Sequence, residues 1–70
     1  MTDEEHDLLQ LVYAKARGRV DEWVPLMELP SAAFVLAEKG FITILDDGPD
    51  LQHVALTESG RVLAMQLAAK

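Results

Sequence analysis

The segment EKGFITILDDGPDLQHVALTESGRVLA, Glu38 to Ala64, leaves few choices of local structure. Gly40 follows an apolar helical run and is a common helix stop, because glycine takes a left-handed backbone without a Cβ penalty. Phe41 to Leu45 and Leu51 to Leu56 then read as strands, divided by the turn residues Asp46, Asp47, Gly48, Pro49 and Asp50. Alternation sets Ile42 and Ile44 on one face of this hairpin, with Val54 and Leu56 on the same face of the return strand. Those four should cover a helical core. Thr57 is a good N-cap, Glu58 opens the next helix, and Gly60 lets that helix approach a neighbour closely. The apolar residues from Val62 to Ala69 continue it, interrupted only by Gln66.

The first half of the chain reads as helical. Thr2 or Asp3 caps a first helix, and Asp3, Glu4, Glu5 and Asp7 load its positive end with acid. Leu8, Leu9, Val12, Tyr13 and Ala16 share one face at helical spacing, with Leu11 beside it. Gly18 ends that helix after a basic run. Asp21 caps a second, short helix opening at Glu22, Trp23 and Val24, where Pro25 in the first turn is tolerated and Pro30 is the stop. Leu26, Met27 and Leu29 supply its core contacts. Ser31 caps a third helix from Ala32 to Lys39, with Phe34, Val35 and Leu36 inward. Two short helices joined by a tight turn are what a helix–turn–helix requires.

The succession of KGFITI, a hairpin and LTESGR resembles the back half of a winged helix–turn–helix domain, as in the multiple-antibiotic-resistance-regulator (MarR) type of transcription factor. The resemblance covers Asp21 to the end of the chain. It implies a compact winged helix over residues 1–70 as a single domain, mainly α with a β-hairpin, in the order ααα-ββ-α. It also implies DNA binding, with the third helix in the major groove, and a dimer built by terminal helices.

Charge opposes the DNA expectation. Twelve acids face six bases, a net charge of −6, and such a chain is repelled by phosphate at long range. Of the bases only Lys15, Arg17 and Arg19 cluster, where they also suit the negative end of the first helix. Base readout draws on Arg, Lys, Asn or Gln. The third helix, SAAFVLAEK, offers only Ser31, Glu38 and Lys39 between apolar residues. The wing tip, where the family places Arg or Lys, carries Asp46, Asp47 and Asp50. These acids suit a solvated turn or a partner-binding tip. A DNA-binding reading therefore needs Arg17, Arg19, Lys39 and Arg61 to converge in space.

Nothing in the chain spells out catalysis. There is no cysteine, so neither a disulfide nor a thiolate metal site is available. His6 and His53 lie in different elements and read as surface residues, short of the four convergent ligands of a zinc site. No nucleophile elbow, phosphate loop or H-E-x-x-H run occurs, and no cofactor is expected. The acidic start TDEEHD differs from a secretory signal, and no apolar run approaches the ~18 residues of a membrane span. The expected location is cytoplasmic, with no membrane partner. Trp23, the single tryptophan, is expected to be partly buried in the core.

The last helix is the strongest candidate for association. Val62, Met65 and Ala69 form one line, Leu63 and Leu67 another, and a 70-residue core covers one of them fully. Val62, Met65 and Leu67, with the tip acids, are therefore candidate partner-binding residues, for a second copy or a different protein. Two readings stand. One is a non-enzymatic, acidic, regulatory module that acts through protein–protein contact or imitates the charge of DNA. The other is a DNA-binding transcriptional regulator.

Overall fold

The computed structural model describes residues 2–26, 28–46 and 52–69. In chain order their elements are α1 (Asp3–Lys15), β1 (Val24–Leu26), α2 (Ser31–Glu38), β2 (Ile42–Asp46), β3 (Gln52–Leu56) and α3 (Glu58–Ala68). This α-β-α-β-β-α order corrects the expected ααα-ββ-α arrangement. The fold is mixed α/β, with a three-stranded antiparallel sheet in the order β1-β3-β2. Residues from all three helices pack on the sheet face that carries Val24, Ile42, Val54 and Leu56.

The correction lies between Val20 and Leu26. Asp21 has φ +63°, not the extended backbone of an N-cap. Its amide donates to the Leu56 carbonyl at 3.1 Å, and Val20 bridges Leu56. The expected second helix is instead β1, with Val24 opposite Val54, Pro25 opposite His53 and Leu26 opposite Gln52. Pro25 is the physical reason. It steers Val24 into extended backbone, and its missing N–H is tolerated on an edge strand. Strand pairing also buries the β-branched Val24, which a solvated helical turn would leave in water.

Helix α1 begins in a capping box. The Glu5 amide donates to the Thr2 hydroxyl at 3.3 Å, and the Thr2 amide donates to the Glu5 carboxylate at 2.6 Å. Leu8, Leu9, Val12 and Ala16 are buried as the spacing requires, and Tyr13 packs at the margin. The helix stops one residue before the expected glycine. Arg17 (φ +56°) takes the left-handed position and Gly18 follows it. Their amides return to the carbonyls of Ala14 and Tyr13.

Helix α2 is rotated relative to the expected phase. It buries Ala32, Ala33 and Leu36 and leaves Phe34 57% exposed, with Val35 also exposed. Three consecutive residues cannot share a helix face, and the small Ala32 and Ala33 allow close packing where Phe34 would not fit. Its N-cap is Pro30, with no side-chain cap bond, so Ser31 is the first helical residue rather than the cap. Gly40 (φ +84°) closes α2, its amide donating to Ala37 and that of Phe41 to Leu36.

The hairpin follows the expected alternation. Ile42 pairs with Leu56 and Ile44 with Val54; three of these are buried and Ile44 packs against them. Asp46 ends β2 rather than opening the turn, and Asp47 and Asp50 lie outside the described residues. Thr57 then caps α3, its hydroxyl accepting from the Gly60 amide at 3.1 Å and donating to the Gly40 carbonyl at 2.6 Å. The Thr57 amide donates to the Phe41 carbonyl. A Cβ on Gly60 would lie 1.8 Å from that same carbonyl oxygen. Gly60→Ala must therefore push α3 off β2, and it should cost stability at the upper end of the ~1–3 kcal/mol typical of overpacking. Ser59→Ala, on the exposed side of the same turn, should change the urea midpoint little. Equal midpoints for Gly60→Ala and the parent would refute the close approach.

Candidate interaction surfaces

Helix α3 buries Gly60 and Ala64 completely and packs Leu63 and Leu67 against the core, one continuous stripe at helical spacing. Leu67 thus belongs mainly to the core side. Val62 (41% exposed) and Met65 (45% exposed) stand on the outer side. Val62 also lines an open groove of about 360 Å³, with Phe41, Glu58, Ser59, Leu63 and Gln66. Arg61 lies along the helix, one guanidinium nitrogen 3.2 Å from Glu58 and another 3.3 Å from the Met65 sulfur. The surface is an apolar ridge with one base and one acid beside it.

The four bases of the DNA-binding reading are dispersed. Lys39 reaches Glu5 at 3.4 Å, at the start of α1. Arg17 and Arg19 lie beyond the other end of α1, which is 13 residues and hence about 18 Å long. Arg19 faces Glu22 at 4.0 Å and Arg61 faces Glu58. Three of the four therefore have an intramolecular acid beside them.

Glu5 is the buried charged residue among the described residues, 5% exposed. The Thr2 amide holds its carboxyl below the ordinary value of about 4.5, against the opposing effect of desolvation, and the Thr2 hydroxyl and Lys39 add to the lowering. One carboxylate thereby caps α1 and ties it to the end of α2.

Two other residues depart from expectation. Trp23 is 45% exposed rather than held in the core. It immediately precedes β1, one residue before the Val24–Val54 pair. His53 is only partly exposed, and its Nδ1 is buried without a hydrogen-bond partner. His6 is close to Asp7 instead, at 3.7 Å. Among the described residues no three acids or histidines converge as a metal site, and no helix is long and apolar enough to cross a membrane.

The lowered Glu5 value fixes a sign. Its contribution to stability is complete above the unfolded-state value and is lost as pH falls through the lower folded-state value. Glu5→Gln should lower the urea midpoint at neutral pH, and the difference from the parent should shrink as pH falls from about 5 toward 3. A difference that stays constant over that range would show that packing, not charge, is what Glu5 supplies. No family model matches this chain, and no curated protein or solved structure matches it.

Proposed function

We propose that this chain is a non-enzymatic, acidic, regulatory protein-interaction module that pairs with a second copy of itself through α3. The observation that carries this reading is the exposed Val62–Met65 ridge beside the groove next to Phe41. A twofold axis across α3 brings the ridge of each copy to the groove of the other, as an isologous interface requires. Glu58 and Arg61 support the same occupant, because antiparallel helices set the acid of one copy near the base of the other. The resemblance of KGFITI and LTESGR to MarR-type regulators supports a regulatory role. The net charge of −6 and the dispersed bases favour contact with proteins over contact with DNA. An acidic surface of this kind also suits imitation of DNA toward a DNA-binding protein.

Sedimentation equilibrium over a concentration series should give a dimer at ~100 µM, a concentration that captures micromolar affinities. Val62→Glu and Met65→Glu should each shift the protein to monomer while its circular dichroism is kept. A clean monomer at that concentration overturns the proposed dimer. Titration with random duplex DNA at two salt concentrations tests the rest. The parent should bind more weakly than Kd ~10⁻⁴ M at physiological salt, the weak end of non-specific binding. Tight binding with a steep salt slope and protection of a defined sequence would instead make the chain a DNA-binding transcriptional regulator.

A further inference from the structure

We infer that the outer face of the sheet docks a basic amphipathic helix of a different protein. This surface is separate from α3 and goes beyond the dimer proposed above. Strand alternation turns Pro25, Thr43, Leu45, His53 and Ala55 away from the helices, and the exposed Trp23 immediately precedes β1. Trp23 and Leu45 are large and exposed, at 45% and 41%. Between the outer strands, the central strand is partly shielded. Ala55 is only 1% exposed although it lies outside the core cluster, and His53 Nδ1 is shielded from water. A sheet with apolar residues on both faces calls for a layer on each. The inner face has three helices, and among the described residues the outer face has none.

Dimensions and charge select the occupant. Three strands at about 4.8 Å spacing set the outer two about 10 Å apart, the width of one helix. Acids flank β1: Asp21 and Glu22 before Trp23, and Glu28 after the strand. Arg19 is the base facing this group, at 4.0 Å from Glu22. A second copy would bring acid against acid here, whereas at α3 it brings Glu58 against Arg61. Lysine or arginine flanking an apolar stripe meets the acids, and the Trp23 ring offers such a cation its face. Tryptophan is also the side chain most enriched where binding energy concentrates.

Trp23 is the only tryptophan, so its emission reports directly on this face. The probes are two helical peptides of about 12 residues, long enough to cross the sheet. One has leucines along a single face and lysines beside them; the other has glutamates in place of the lysines. The lysine peptide should shift Trp23 emission to the blue with Kd near or below ~100 µM in low salt. It should weaken about fivefold or more between ~0.05 M and ~0.2 M salt. Thr43→Lys should reduce the affinity at least about tenfold by repulsion. Thr43 is exposed, so that variant tests the face without opening the core. Val62→Glu, on α3, should leave peptide binding unchanged even where it abolishes the dimer. Absence of binding at ~1 mM, equal binding of the glutamate peptide, or full affinity in Thr43→Lys would each overturn the inference. A blue shift with protein concentration alone, without peptide, would assign the face to a second copy instead.

Discussion

The junction of Thr57 and Gly60 with Gly40 and Phe41 determines how the rest of the molecule is arranged. Thr57 donates from its amide to Phe41 and from its hydroxyl to Gly40, and Gly60 lies against the Phe41 carbonyl. One corner thus joins the end of α2, the start of β2, the end of β3 and the start of α3. The neighbouring Leu56 carbonyl accepts from Asp21 and brings the segment before β1 to the same place. With its first turn fixed at a distance only glycine allows, α3 has a set rotation. Gly60, Leu63, Ala64 and Leu67 then face the core, and Val62 and Met65 face outward. The ridge follows from the clasp: rotating α3 to bury it would expose Leu63 and Leu67.

Electrostatics acts on the same framework at shorter range. The Glu5 carboxylate satisfies the first amide of α1 and meets Lys39 beyond α2, so a buried charge is paired and hydrogen-bonded rather than isolated. Arg19 and Arg61 likewise sit beside acids three residues away on their own segments. These exposed pairs contribute little to stability. Their larger effect is on recognition, since a guanidinium already facing a carboxylate is a poorer contact for phosphate. Net charge and local arrangement therefore act in the same direction.

The legible parts of the sequence were those with a clear period or a specific terminus. Ile42, Ile44, Val54 and Leu56 alternate over two strands and appear in the expected register. Thr57 and Thr2 had the right neighbours for caps and act as caps. Strand β1 has three residues, too few for a period, and the acids before it imitate a helix start. Only Pro25 signalled the extended backbone. In α2 the run Ala32 to Ala37 has no polar residue to mark the outer side, so its phase is not legible there, and Phe34, expected inward, is exposed. The position of Trp23 depends on β1 pairing with a strand nearly thirty residues later, a relation that local pattern does not contain. The α3 ridge was readable as one of two apolar lines, but the sequence could not choose which line the core would take.

A small domain has one core, and the number of apolar faces it exposes is a matter of geometry. Three helices on one side of a three-stranded sheet are enough to dry Val24, Ile42, Val54 and Leu56. They cannot also reach Leu45, which the pleat turns the other way, and they leave Trp23 exposed. Nor can α3 bury two sides at once. Among the described residues, the apolar surfaces on α3 and on the outer sheet are divided by the core. Their charges differ: Glu58 and Arg61 balance each other on α3, while acids flank β1. A twofold partner suits a surface that carries both signs, because each copy supplies what the other needs. A surface where acids outnumber bases suits a partner of the opposite sign. The same fold thus presents a surface of balanced charge and a more acidic one on different elements.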